Sequence, residues 1–379
     1  MRLYNLKTDV LIVGGGVSGS SLAYLLSKEG FNVVIAEKKP KIGYPHHCSG
    51  ILGFDALKEL VHFSEDWVIS DINWARFTSP GGITLEIRKP LAKVIDRGAM
   101  DRELWDLALS EGALGLLSSP FKGLVSKDEA AVGDSIIQFD VLVGADGPLS
   151  RVAEAAGFRR LKVEIGIHRL LGGGSLDGYM VKVMRGSRFA WIQPWKDGRK
   201  AGALGGFNDP VLMWTRHLTS EPSMGYEGGL IPAEIRRRFV RGRIALIGDA
   251  AGQIKPLSRG GVLFSSRSAY ILAESLSDEF EDPSRALKRY EFLWWKSQKR
   301  EVVLGRGIRR FLDKLTSEKI DRIFSLLKEE EDLLEKEFHV DRQSAPLFAL
   351  PAVKVLKLAT EDIVATISAA AEILRYIIR

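Results

Sequence analysis

Val10-Leu11-Ile12-Val13-Gly14-Gly15-Gly16-Val17-Ser18-Gly19 is the stretch that decides the fold. Four apolar residues run into a glycine turn, and the turn runs into a short, uncharged, helix-compatible segment, 20–27. This reads as a strand–turn–helix unit that binds a dinucleotide. Gly14 permits the tight bend, Gly16 lets the backbone approach a pyrophosphate, and Gly19 lets the helix pack close to the strand. The amides that open the helix, at Val17 and Ser18, then hold the phosphates. Gly30 stops the helix, and Val33-Val34-Ile35-Ala36 reads as a second buried strand ending at Glu37, with Lys38 beside it. The fingerprint expects a carboxylate at Glu37 for a ribose hydroxyl, and an acid there favours an unphosphorylated ribose.

Two further segments repeat the pattern. Val141-Leu142-Val143 leads into Gly144-Ala145-Asp146-Gly147, and Ile244-Ala245-Leu246-Ile247 leads into Gly248-Asp249-Ala250-Ala251-Gly252. One glycine turn is common to many folds. Three at the ends of buried-strand runs are what a parallel sheet with a ligand at its carboxyl edge requires. The expected fold class is therefore α/β: a Rossmann-like dinucleotide domain interleaved with an antiparallel-sheet domain, followed by a helical C-terminal region. The dinucleotide domain is discontinuous, taking residues 1–50, 92–157 and 241–277. The second domain takes 51–91 and 158–240, and the helical region 278–379. Within the second domain, Trp74-Ala75-Arg76-Phe77-Thr78 and Ile83-Thr84-Leu85-Glu86-Ile87 alternate about Pro80-Gly81-Gly82 and predict a hairpin. Residues 352–379 read as one long amphipathic helix, and the acidic run 329–337 as a solvated helix face.

Composition bounds the rest. At 379 residues and 45% hydrophobic, the chain can bury the cores of two or three domains. The uncharged run 10–26 is glycine-interrupted and is read as buried strand and helix, not as a membrane span or signal. A single cysteine excludes an internal disulfide and fits a reducing, cytoplasmic setting. Asn and Gln together number nine while charged residues make up 27%, a balance that leans towards heat adaptation. The net charge is +6, but the basic residues are dispersed except around Arg236-Arg237-Arg238. Without a basic stripe bearing interleaved aromatics, no nucleic-acid partner is expected, and no metal site is expected either. Peripheral membrane contact stays open.

In this order the three turns resemble those of the flavoprotein family that includes para-hydroxybenzoate hydroxylase and geranylgeranyl reductase. The resemblance implies FAD as cofactor. It places Asp146 and Gly147 in the family's DG motif, Asp249 in the GD motif beside the ribityl phosphate, and Arg102 on FAD. It also sets the backbone of Gly260 and Gly261 near the flavin's pyrimidine edge. Finer features resemble the geranylgeranyl reductases. Gly252 stands where hydroxylases usually carry His. Tyr44-Pro45-His46-His47-Cys48-Ser49-Gly50 resembles the reductases' cysteine–glycine segment, and Gly228-Gly229-Leu230-Ile231-Pro232 their glycine-rich segment before the GD motif. Gly186 to Pro194 aligns with their PxxYxWxFP signature, retaining Trp191 and Pro194 but carrying Gly186, Phe189 and Gln193 at the other positions.

The resemblance implies an enzyme that reduces carbon–carbon double bonds of an isoprenoid or lipid chain by hydride transfer from flavin N5. Its electrons would come from NAD(P)H or ferredoxin. Such an alkene also needs a proton. Cys48 is the candidate donor, since a thiol is mostly protonated near neutrality, with a plain packing role as the competing reading. Phe189, Trp191 and Pro194 would line the substrate pocket. A flavin monooxygenase or halogenase on the same scaffold, and an electron-relaying flavoprotein, remain alternatives.

Overall fold

The computed structural model describes residues 5–377; residues 1–4 and 378–379, the outermost parts of the first and last expected segments, lie outside the described residues. The apolar runs pair as parallel strands. Asn5–Val13 lies between Val33–Ala36 and Ser135–Gly144, and Ile244–Leu246 extends the sheet beyond the latter. Leu114–Leu116 adds to the other side, parallel to Val33–Ala36. Strands without polar alternation need cover on both faces. The helix Val17–Lys28 packs against both Arg97–Ser110 and Val262–Glu279, and Val10, Leu11, Ile12, Val141, Leu142 and Val143 are fully buried.

The second sheet has seven strands, in the order Ser223–Pro232, Val163–Gly172, Gly198–Gly205, Arg188–Trp195, Gly178–Met184, Trp74–Thr78 and Thr84–Ile87. The expected hairpin forms its far edge and joins the rest through the one parallel pairing of this sheet, Trp74–Thr78 with Gly178–Met184. A small sheet of Ile51–Gly53, Ala92–Ile95 and Val68–Ile72 stands beside them. In the seven-stranded sheet the register sets Glu227, His168, Gly202, Trp191 and Val181 in one row, with Lys200 and Gln193 paired in the next row of the same face.

The C-terminal region is helical but departs from expectation at one point. Residues 352–377 are not one helix: Ala352–Thr360 and Ile363–Ile377 are separated at Glu361-Asp362. Asp362 Oδ1 accepts from the Ala365 amide at 2.9 Å and Oδ2 from Lys319 Nζ at 2.8 Å. A side chain that caps a new helix competes with continuation of the old one. The acidic run is also not merely solvated, because Glu331 accepts from the Glu86 amide at 2.6 Å. No helix among the described residues is long and apolar enough to cross a membrane.

Candidate active site

Parallel pairing brings the three glycine turns to one edge. Val13 is in register with Ala36 and Gly144, and Gly144 with Leu246. The glycines of the first turn then divide by what a side chain would meet. A Cβ on Gly14, whose φ is +114°, would collide with the Ala145 carbonyl oxygen, and one on Gly19 with that of Gly14. A Cβ on Gly16 would meet no protein atom within 4 Å. Gly14 and Gly19 are thus required by the chain's own packing, whereas Gly16 opens onto free space, as a backbone that receives a pyrophosphate must. Beyond it, Val17–Lys28 starts with no capping side chain and no acid in its first turn, and Val17 and Ser18 are nearly buried. Its unpaired amides and dipole favour an anion.

Glu37 reaches back into this turn: Oε2 accepts from the Gly15 amide at 2.8 Å and Oε1 from the Lys39 amide at 3.0 Å. Lys38 is exposed at the rim. In the second turn, Asp146 Oδ2 accepts from the amides of Arg151 at 2.8 Å and Val152 at 3.2 Å, while Oδ1 is buried without a partner. Burial raises the Asp146 pKa. Gly147, at φ +84°, faces open space like Gly16. The third turn meets the first helix directly, because a Cβ on Gly248 would strike Ser18 Oγ. Burial pushes the Asp249 carboxyl up to about 6, against the pull of Arg97. A Cβ on Gly261 would lie 3.1 Å from Asp249 Oδ1, so the Gly260-Gly261 loop adjoins the third turn. Gly261 opens the helix Val262–Glu279, whose N-terminus also lacks a capping side chain and an acid. Arg102 is half-buried on Arg97–Ser110 and forms no salt bridge among the described residues.

These features fit FAD. An anion cradle, the Glu37 carboxylate, the orphaned buried oxygen of Asp146 and a second uncapped helix end surround one edge of the sheet.

The cysteine segment sits across the seven-stranded sheet. Lys200 Nζ donates to the Cys48 carbonyl at 3.3 Å, and Gln193 Nε2 to the Ser49 carbonyl at 2.6 Å. Arg97 Nη1 lies 3.4 Å from Cys48 Sγ, and its Nη2 2.9 Å from Asp101 Oδ1. Burial works against the Arg97 charge, but Asp101 and Cys48 outweigh it and its pKa rises. His46, His47, Cys48, Arg97, Asp101 and Trp195 line a small cavity. Burial lowers the His47 pKa. Below the segment, Trp191 donates from Nε1 to Gln193 Oε1 at 3.0 Å and packs on Phe189 and on the edge of His168. Pro194 falls on the opposite side of the strand from Phe189 and Trp191, as a period of two requires.

Several residues here escaped the sequence. Lys200 is fully buried, 2.6 Å from Glu227 Oε2 and 3.2 Å from the centroid of the Trp195 ring. Burial lowers the Lys200 pKa against the raising effect of Glu227, and drives that of His168 down to about 3. The loop 255–261 is anchored by two further buried groups, Lys255 with Asp341 at 3.0 Å, and Glu164 with both Arg259 at 2.8 Å and Arg309 at 2.7 Å. Strand alternation puts Lys200 and Gln193 on the floor, but only the register shows that they meet.

Residues 9–111 match the family model described as FAD dependent oxidoreductase. The match spans the first glycine turn, Glu37 and Arg102. The flavoprotein is 27% identical over 360 residues to digeranylgeranylglycerophospholipid reductase 2 of Methanothermobacter thermautotrophicus, covering 85% of this chain and 92% of the relative. It is 24% identical over 361 residues to digeranylgeranylglycerophospholipid reductase of Methanosarcina acetivorans, covering 85% and 88%. In fold it is similar to a geranylgeranyl bacteriochlorophyll reductase-like protein from Thermoplasma acidophilum, with a TM-score of 0.80, 18% identity and 99% and 100% of the chains covered. A probable FAD-dependent monooxygenase from Pseudomonas aeruginosa shares the scaffold at a TM-score of 0.62, with 17% identity and 84% and 100% covered.

Proposed function

We propose that this flavoprotein reduces carbon–carbon double bonds in an isoprenoid chain of a lipid, the activity that the names of its curated relatives imply. The observation that carries the reading is the cysteine segment held against the seven-stranded sheet by Lys200 and Gln193. Cys48 is fastened at its carbonyl by Lys200 and at its sulfur by Arg97, and Trp195 lines the same small cavity. When bound and reduced, FAD supplies the hydride. The chain does the rest. The Val17 and Ser18 amides and the open Gly16 backbone bind the pyrophosphate, Glu37 the ribose, and Asp249 and Arg102 the remaining polar parts of the cofactor. Phe189 and Trp191 exclude water from the alkene and orient it. Cys48 holds the proton at Sγ that the second alkene carbon receives, and Arg97 stabilises the sulfur once that proton has left.

Anaerobic incubation of dithionite-reduced protein with geranylgeranyl lipids, beside aerobic turnover with NAD(P)H, tests this. Product heavier by two hydrogens per double bond supports the reductase. Product that forms only with oxygen would transfer the assignment to a monooxygenase, and flavin reoxidation without organic product to an electron relay.

A further inference from the structure

Three successive carbonyls of the cysteine segment accept from donors elsewhere in the chain. Lys200 Nζ lies 3.3 Å from the Cys48 oxygen, Gln193 Nε2 2.6 Å from that of Ser49, and the Ile95 amide 3.0 Å from that of Gly50. Lys200 and Gln193 face one another across the adjacent strands Gly198–Gly205 and Arg188–Trp195, and both are fully buried. This one cross-strand pair holds two consecutive carbonyls to the seven-stranded sheet. Cys48 Sγ in turn is met by the Gly50 amide at 3.5 Å and by Arg97 Nη1 at 3.4 Å. The place of the thiol is therefore set largely through its own backbone.

A lysine at that position is costly to bury. Its ammonium is removed from water, and Glu227 at 2.6 Å, the Cys48 carbonyl and the face of the Trp195 ring take the place of the lost hydration. Such a buried pair is a poor source of stability, and apolar residues of the same volume commonly serve a core as well or better. What apolar residues cannot do is hold a carbonyl. Gln193 makes the same point with a neutral group, because its amide is divided between two partners. Oε1 accepts from Trp191 Nε1 at 3.0 Å while Nε2 donates to the Ser49 carbonyl. One side chain thus ties the cysteine segment to Trp191, a residue of the proposed alkene wall.

We infer that Lys200 and Gln193 are positioning residues: through the Cys48 and Ser49 carbonyls they fix where the Cys48 thiol stands, and Glu227 holds Lys200 in place for it. The bearing of this clamp on alkene reduction rests on the function proposed above; the clamp itself does not. The chain has one cysteine, so labelling of the FAD-loaded protein by N-ethylmaleimide reads Cys48 alone. Gln193→Leu, and separately Lys200→Met with Glu227→Leu, should each speed labelling roughly tenfold, the worth of one hydrogen bond. Circular dichroism and FAD content should stay unchanged. In alkene reduction each should lower kcat by a similar factor and leave KM near its parental value. Placed in a Cys48→Ser background, the same changes should cost nothing further, since a residue that acts through the thiol has no effect once the thiol is gone. Labelling at the parental rate in both variants would overturn the inference, and so would equal losses of kcat with and without Cys48. Faster labelling where the parent protein reduces no alkene would uphold the clamp and overturn the proposed function instead.

Discussion

Gly16→Val separates cofactor binding from folding. Gly16 has φ −86° and ψ −172°, which any residue adopts, and its Cβ position is clear of protein atoms. The cost to the flavin-free protein is then about 1 kcal/mol or less, from a poorer residue at the helix N-cap. The cost to FAD is much larger. A valine side chain there occupies the space before the Val17 and Ser18 amides and removes two charge-assisted hydrogen bonds, each worth about 1.5–3 kcal/mol. Together that is about 3–6 kcal/mol, or roughly 10²–10⁴ in affinity. Gly19→Ala reverses the pattern. Its Cβ meets the Gly14 carbonyl, a backbone atom that cannot swing aside, so the fold itself should lose about 3 kcal/mol, the upper range for overpacking. Urea denaturation of the flavin-free proteins and flavin absorbance after desalting read the two effects. A Gly16→Val protein that keeps stoichiometric FAD, or that unfolds as readily as Gly19→Ala, would refute the division of roles.

Three further outcomes follow from the same site. Cys48→Ser should slow alkene reduction by roughly 10²–10⁴, the span of a positioned acid, with FAD content unchanged; parental turnover would leave Cys48 a packing residue. Lys200→Met leaves Glu227 uncompensated in the sheet floor and should cost about 3–5 kcal/mol by chemical denaturation, with much of it recovered by adding Glu227→Leu. Asp249 binds its proton more tightly when folded, its pKa rising from 3.8 to about 6, so the flavin-free protein should lose stability as pH climbs between those values. The loss is on the order of 3 kcal/mol at 1.36 kcal/mol per unit. Asp249→Asn should flatten that slope and stabilise the flavin-free protein at neutral pH; an unchanged slope would place the titration elsewhere.

The parallel sheet was legible because its signals are local: four-residue apolar runs that end in glycine, and an acid at Glu37 at the expected distance. The hairpin before Ile87 was legible for the same reason, since alternation and a turn lie within one short segment. What stayed hidden is non-local. Lys200 and Glu227 sit on strands that each pair with Val163–Gly172, and nothing short of the register of the seven-stranded sheet predicts that a lysine there is buried and paired. Lys255 and Asp341 are 86 positions apart and meet only because the C-terminal region folds back over the loop 255–261. The helix break at Asp362 was missed because periodicity continues across it, while the competing cap depends partly on Lys319 from another helix. The resemblance expects Trp191 in a pocket, whereas the bond from Gln193 to a carbonyl of the cysteine segment is one that only the fold brings about.

The central claim is tested most directly by a single anaerobic turnover. The protein is reduced by one equivalent of dithionite, excess reductant is removed, and a geranylgeranyl lipid is added while absorbance and product mass are followed. The account predicts that oxidised-flavin absorbance returns on mixing, with one double bond reduced and two hydrogens gained for each flavin reoxidised. Flavin that stays reduced until oxygen is admitted would contradict it.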